Sequence, residues 1–124
     1  MTPNTKRLAA PFLVSLVALL SACGGYGGSG GSSSAAPGAT VIPWSVGATG
    51  VQTTVAAGAT VQWRATDGMT HTVTSSSTPS AFAELSVPGN GYSSPVTFTT
   101  PGTFPYFCSI HGARVMNGTL TVTP

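Results

Sequence analysis

The chain is poor in charge: its 124 residues include only four Lys or Arg and two Asp or Glu. Basic side chains that sparse exclude a nucleic-acid surface, because neutralising phosphates takes several Lys or Arg in one patch. Even the formal net charge of +2 says little, since two of the four cations, Lys6 and Arg7, sit at the extreme N-terminus. Beyond them stand Arg64 and Arg114 against Asp67 and Glu84, which sum to zero. Cysteine is equally scarce. Cys23 and Cys108 are the only two, too few for the framework of a disulfide-stapled domain. A c-type haem would need Cys-x-x-Cys-His, which does not occur, and neither do the His-x-His pairs of multicopper oxidases or the two neighbouring Cys of a dinuclear copper centre. The 16 glycines form no phosphate loop, since the Lys and the strand-to-helix context of one are missing. No window carries the period of a helix of normal length.

What the N-terminus does have is the pattern of a targeting segment. Lys6 and Arg7 give a positive start, Leu8 to Leu20 an apolar run, and Leu20-Ser21-Ala22-Cys23 a cleavage site of small residues. The run is too short to span a membrane comfortably. A Cys directly after small residues resembles the lipobox of bacterial lipoproteins, which implies removal of residues 1–22 and acylation of the Cys23 thiol. From Gly24 to Ala39 the chain is nearly all Gly, Ser and Ala. That composition predicts a flexible tether over 23–39, with a reach on the order of 20 Å.

From residue 40 to 124 the pattern is β throughout. Val51-Gln52-Thr53-Thr54-Val55 and Val61-Gln62-Trp63 alternate on either side of a turn at Ala56-Ala57-Gly58-Ala59. Val73, Val96-Thr97-Phe98 and Leu120-Thr121-Val122 continue the style, and Gly or Pro punctuates the runs. A hydrophobic share of 41%, with five Phe, three Tyr and two Trp, is enough for a core. The expected fold is an all-β, antiparallel Greek-key sandwich in one domain. Phe82 to Val87, closed by the turn signal Pro88-Gly89-Asn90-Gly91, predicts a short edge strand, where the nearby prolines do no harm. A final hairpin runs out through Phe104-Pro105-Tyr106-Phe107-Cys108 and back through Thr119 to Thr123. Period two puts Phe104, Tyr106 and Cys108 on one face and Phe107 on the other.

That hairpin carries the chemistry. Cys108, His111 and Met116 offer a thiolate, an imidazole and a thioether close together in sequence, and the chain has one further histidine, His71. If Cys23 is acylated, Cys108 has no partner thiol outside the cytoplasm, so it must be buried or metal-bound. Two His, one Cys and a weak axial Met are the donors of a mononuclear blue-copper site, a set between the preferences of Cu(I) and Cu(II). Zinc is the weaker reading, because Met is a poor zinc ligand and the second Cys or carboxylate common in such sites is missing. Copper-trafficking or storage would use the same donors, but exposed and in Met- or His-rich runs, and this chain has three Met in all. A metal-free binding module remains if His71 does not converge on Cys108. Met69 is a rival axial donor or apolar cover.

Cys108-Ser109-Ile110-His111 followed by Met116-Asn117-Gly118 resembles the ligand loop of the small cupredoxins: plastocyanin, pseudoazurin and the halocyanins. Ala57-Gly58-Ala59-Thr60-Val61-Gln62-Trp63 with His71-Thr72-Val73, and Pro101-Gly102-Thr103-Phe104-Pro105-Tyr106-Phe107, are similar to that family's strand pairs, so the resemblance spans about Val41 to Val122. It implies a cupredoxin sandwich over 40–124 with one copper ion on His71, Cys108, His111 and Met116, both His using the same ring nitrogen. The sequence departs from plastocyanin at Ile110, where that family usually has Pro, and at Thr72, where it often has an Asn that links the two ligand loops. The implied activity is shuttling of single electrons between redox protein partners, not catalysis. The edge of His111 is the expected electron port, ringed by Ile110, Gly112, Ala113, Val115 and Met69 with Arg114 on the rim, and Phe107 is a second possible path. The protein is expected as a monomer, exported and lipid-anchored on the outer side of a bacterial membrane. The anchor has a simple test: Cys23→Ser should release the domain into the soluble fraction, and unchanged membrane retention would contradict it.

Overall fold

Alternating Val and Thr residues give strands with one apolar and one polar face. In the computed structural model, which describes residues 31–124, eight strands form: β1 (Thr40–Trp44), β2 (Val51–Ala56), β3 (Ala59–Ala65), β4 (His71–Ser75), β5 (Leu85–Val87), β6 (Val96–Phe98), β7 (Gly102–Phe107) and β8 (Asn117–Thr123). The expected signal segment, Cys23 and the tether up to residue 30 lie outside the described residues. A three-stranded sheet has the order β1-β3-β6, and a five-stranded sheet the order β2-β8-β7-β4-β5. The expected all-β sandwich is therefore present. β5 is the short edge strand anticipated between Phe82 and Val87, reduced to its last three residues.

Both sheets are mixed. β1 pairs parallel to β3 and β2 parallel to β8, while the remaining pairs are antiparallel. Alternation alone does not distinguish the two arrangements, because the side-chain period is the same in both. Nor do β2 and β3 form a hairpin. Their turn crosses from one sheet to the other: the Ala57 N–H donates to Thr123 O on one side and the Gly58 N–H to Phe98 O on the other, each at 2.8 Å. Gly58 takes φ 89° there, a left-handed conformation that glycine adopts without steric cost.

The core lies between the sheets. Ile42, Trp44, Val61, Trp63 and Ala65 face Val55, Val73, Val87, Tyr106, Leu120 and Val122, all buried. Tyr106 is held between two indoles, with ring centroids 5.3 Å from Trp44 and 5.2 Å from Trp63. Such aromatic pairs contribute about 0.5–1.5 kcal/mol each beyond the area they bury. Gln62 breaks the pattern, being 1% exposed on the outward side of β3. Its amide accepts from the Ala36 N–H at 2.6 Å and donates to Ser93 O at 2.8 Å, and Ser32 exchanges backbone hydrogen bonds with Tyr92. Residues 31–39, part of the stretch read as a tether, thus lie against the domain and cover Gln62.

The end of the core nearest the ligand loop is packed without slack. Gly118 stands opposite Tyr106 in the β7–β8 ladder, and a Cβ there would come within 2.5 Å of the tyrosine ring. Overpacking of this kind costs about 1–3 kcal/mol. Gly118→Ala should accordingly lower the unfolding free energy of the domain by that amount, read as a lower denaturant midpoint at unchanged m. An unchanged midpoint would show that Tyr106 has room to move.

Candidate metal centre

Strand register brings the donors together. β4 and β7 run antiparallel with Thr74 opposite Phe107 and Ser75 opposite Tyr106. Continuing that ladder sets the start of β4 beside the first residues after β7, where Cys108 lies. The Nδ1 and Sγ atoms of His71, Cys108 and His111 all fall within 4.8 Å of one another. His71 Nδ1 is 3.2 Å from His111 Nδ1, which in turn is 3.5 Å from Cys108 Sγ. Both histidines present the same nitrogen, as expected. His71 and Cys108 are fully buried and His111 is half-buried. Met116 is buried, and its carbonyl accepts the Cys108 N–H at 3.1 Å, which closes the ligand loop onto the start of β8.

Asp67 sets the state of His71. Its Oδ1 lies 2.8 Å from His71 Nε2. The Asp67 carboxyl is lowered to about 2, chiefly by the Val46 N–H at 2.9 Å, with desolvation opposing and His71 and the Met69 N–H adding to the lowering. An ionised carboxylate only accepts hydrogen bonds. The ring proton therefore sits on Nε2, and Nδ1 points its lone pair at His111 and Cys108. This is the carboxylate–imidazole pairing that orients metal-ligating histidines. Two ring nitrogens 3.2 Å apart beside a thiolate make a compact nest for a cation with nitrogen and sulfur preferences.

Burial pushes the Cys108 thiol up, but the Thr72 N–H at 3.4 Å and the His111 ring and backbone outweigh it and bring the group down to about 6. The nucleophilic, metal-binding form is thus populated at neutral pH. Thr72 also ties the two ligand segments: its Oγ1 accepts the Ser109 N–H at 2.7 Å and lies 2.8 Å from Ser109 Oγ. A threonine does here the linking for which plastocyanin-like sequences often carry Asn. At the far side of the loop, Asn117 accepts the Gly50 N–H and donates to Ala113 O, each at 2.8 Å. Val115 and Met116 both donate to Gly112 O.

Around the donors, Met69 (44%), Ile110 (56%) and Val115 (39%) are the exposed apolar side chains. Ala113 and Arg114 are exposed beside them, and Gly112 and Phe107 are half-buried. Sequence reasoning missed Asp67 and the bridging role of Thr72. For Asp67 a signal existed: it is the sole carboxylate close in sequence to His71, in an Asp-Gly turn whose carboxylate also accepts the Met69 N–H.

Residues 50–123 match the family of copper binding proteins described as the plastocyanin/azurin family. No curated protein shows a significant sequence match. Among solved structures, amicyanin from Paracoccus versutus (Thiobacillus versutus) is similar at 22% identity and TM-score 0.63, covering 78% of this chain and 94% of that one. An oxidised methionine-to-lysine variant of amicyanin is similar at 23% identity and TM-score 0.65, covering 78% and 95%. A reduced Cu(I) form at pH 4 of a proline-to-glycine variant of amicyanin is similar at 25% identity and TM-score 0.61, with the same coverage.

The lowered Cys108 thiol predicts a pH dependence in the metal-free protein. Between about 6, its folded value, and its ordinary value of 9.0, the unfolded chain binds the extra proton, so stability rises with pH across that window. The contribution is complete above 9.0 and lost as pH falls through about 6. Thiolate absorbance should titrate near the lower value, and Cys108→Ala should flatten this part of the stability profile. Titration of the thiol near its ordinary value would contradict it.

Proposed function

Because the chain belongs to the plastocyanin/azurin family of copper binding proteins, we propose that it is a mononuclear blue-copper electron carrier that acts on other redox proteins rather than on a substrate. It binds one copper ion. Bound copper supplies a one-electron couple between Cu(I) and Cu(II). The observation that carries the reading is the convergence of His71 Nδ1, His111 Nδ1 and Cys108 Sγ within 4.8 Å, the strong part of the donor set for such a site. Met116 would supply the weak fourth donor, a thioether sulfur.

The chain's own contribution is to hold the donors still. Asp67 keeps the metal-facing nitrogen of His71 free, Thr72 clips Ser109 to β4, and Asn117 fastens the loop to the β1–β2 connection. Donors held in place by the fold would need little rearrangement as the bound metal changes oxidation state. Burial of His71 and Cys108 speaks against trafficking or storage, which needs ligands within reach of a partner's. His111, half-buried, is the proposed port, and Met69, Ile110 and Val115 with Gly112 and Ala113 form a small apolar contact for transient partners, biased by Arg114. Encounters between electron-transfer proteins bury little area and are weak. We place the domain outside the cytoplasmic membrane, released from a 1–22 signal segment and tethered by an acylated Cys23. Phe107 is a candidate second path.

Copper(II) added to the metal-free domain should give an intense visible thiolate-to-copper band that is abolished in Cys108→Ala and bleached reversibly by one electron per protein. A colourless complex, or a band that survives Cys108→Ala, would contradict the reading.

A further inference from the structure

Outside the donor set, one carboxylate is joined to it through hydroxyl groups alone. Glu84 is exposed and immediately precedes β5, alongside β4. Its Oε2 accepts from Thr74 Oγ1 at 2.5 Å and from Ser109 Oγ at 3.1 Å. Ser109 Oγ lies 2.8 Å from Thr72 Oγ1, and Thr72 Oγ1 stands 3.8 Å from Cys108 Sγ. Two hydroxyls, those of Ser109 and Thr72, therefore separate the carboxylate from the sulfur.

Each hydroxyl has a single proton, and an ionised carboxylate has none to give. The 3.1 Å contact to Glu84 takes the Ser109 proton. Ser109 Oγ then only accepts, so the 2.8 Å contact takes the Thr72 proton in preference to Thr74 Oγ1 at 3.3 Å. Thr72 Oγ1 is thereby turned from Cys108, leaving the Thr72 N–H at 3.4 Å as the donor to sulfur on that side. The opposite arrangement, Ser109 to Thr72 to Cys108, exchanges an O–H···O⁻ bond of 3.1 Å for an O–H···S contact of 3.8 Å. Sulfur is the weaker acceptor and the distance is long, so the carboxylate wins.

We infer that Glu84 is a positioning residue for the metal centre: by capturing the Ser109 proton it sets the direction of the hydroxyl chain and withholds the Thr72 hydroxyl from the Cys108 sulfur. Hydrogen bonding around the Cys sulfur tunes the potential of a blue-copper site. A donor to sulfur favours the state in which sulfur carries more charge, the reduced one, so Glu84 holds the potential down. It does so by two routes, its own charge and its hold on the proton. Ser109→Ala removes only the second.

The inference rests on the copper electron-carrier reading, and one experiment separates the two. The potential and the thiolate-to-copper band are measured for the copper-loaded wild type and, in a Thr74→Val background that removes the competing acceptor of Thr72, for the parent, Ser109→Ala, Glu84→Ala and the double variant. Thr74 Oγ1 stands 3.3 Å from Thr72 Oγ1 and would take the freed proton before sulfur at 3.8 Å; with Thr74→Val in place, Ser109→Ala leaves the Thr72 hydroxyl to turn to sulfur. The ratio of reduced to oxidised protein at a fixed solution potential should then rise about threefold, or about 30 mV for a one-electron couple, and the band should move to higher energy as the sulfur orbital is stabilised. Glu84→Ala, which leaves no acceptor for Ser109, should shift both in the same direction, and the double variant should match Glu84→Ala alone. If Ser109→Ala leaves potential and band unchanged, or if the two single effects simply add, the relay is wrong. A wild type without the band would instead overturn the copper reading itself.

Discussion

The antiparallel pairing of β4 with β7 is the interaction on which the rest of the molecule depends. Only a strand running beside the final hairpin in this register delivers His71 to Cys108, which are far apart in sequence. A slip of one residue would turn the imidazole to the opposite face of the sheet. The register is held from the core side as well. Trp44 Nε1 donates to Thr72 O at 3.0 Å, reaching across from the other sheet to the backbone between His71 and Val73. Tyr106, paired with Ser75 in the ladder, is locked between the two indoles. The core of the sandwich thus serves as the jig for a site at its edge.

Around this junction the electrostatics all favour one state of the donors. The anionic Asp67 fixes the proton of the buried His71 on the far nitrogen, and backbone N–H groups stabilise a negative sulfur. The thiolate of Cys108 and the unprotonated Nδ1 of His71 are thus already in the form a metal requires. In a chain with two carboxylates, both are committed here: Asp67 touches a ligand, and Glu84 reaches one through hydroxyls. The scarcity of charge that first excluded polyanionic partners leaves few competing fields around the centre.

Much of this was legible in the sequence, and what was not has identifiable causes. The convergence of a thiolate and two imidazoles could be read because Cys108 and His111 are neighbours in the chain and His71 is the only other histidine. Strands could be read from alternation. The separation of β2 and β3 into different sheets could not, since Ala56-Ala57-Gly58-Ala59 is as compatible with a hairpin as with a crossing turn. Gln62 was opaque for a related reason: its burial comes from residues 31–39, whose Gly, Ser and Ala composition carries no period. Thr72 was noticed only as a departure from a common Asn. Its two oxygen contacts to Ser109 are a product of tertiary register, which local pattern does not encode.

The central claim, that these strands make one ligand set out of a thiolate and two imidazoles, is open to a direct measurement. X-ray absorption at the copper edge, on the domain loaded with one equivalent of copper, reports the atoms bonded to the metal in each oxidation state. The account predicts one short sulfur and two imidazole nitrogens in both states, with bond lengths that barely change on reduction. A first shell of light atoms without sulfur, or one rebuilt on reduction, would contradict it.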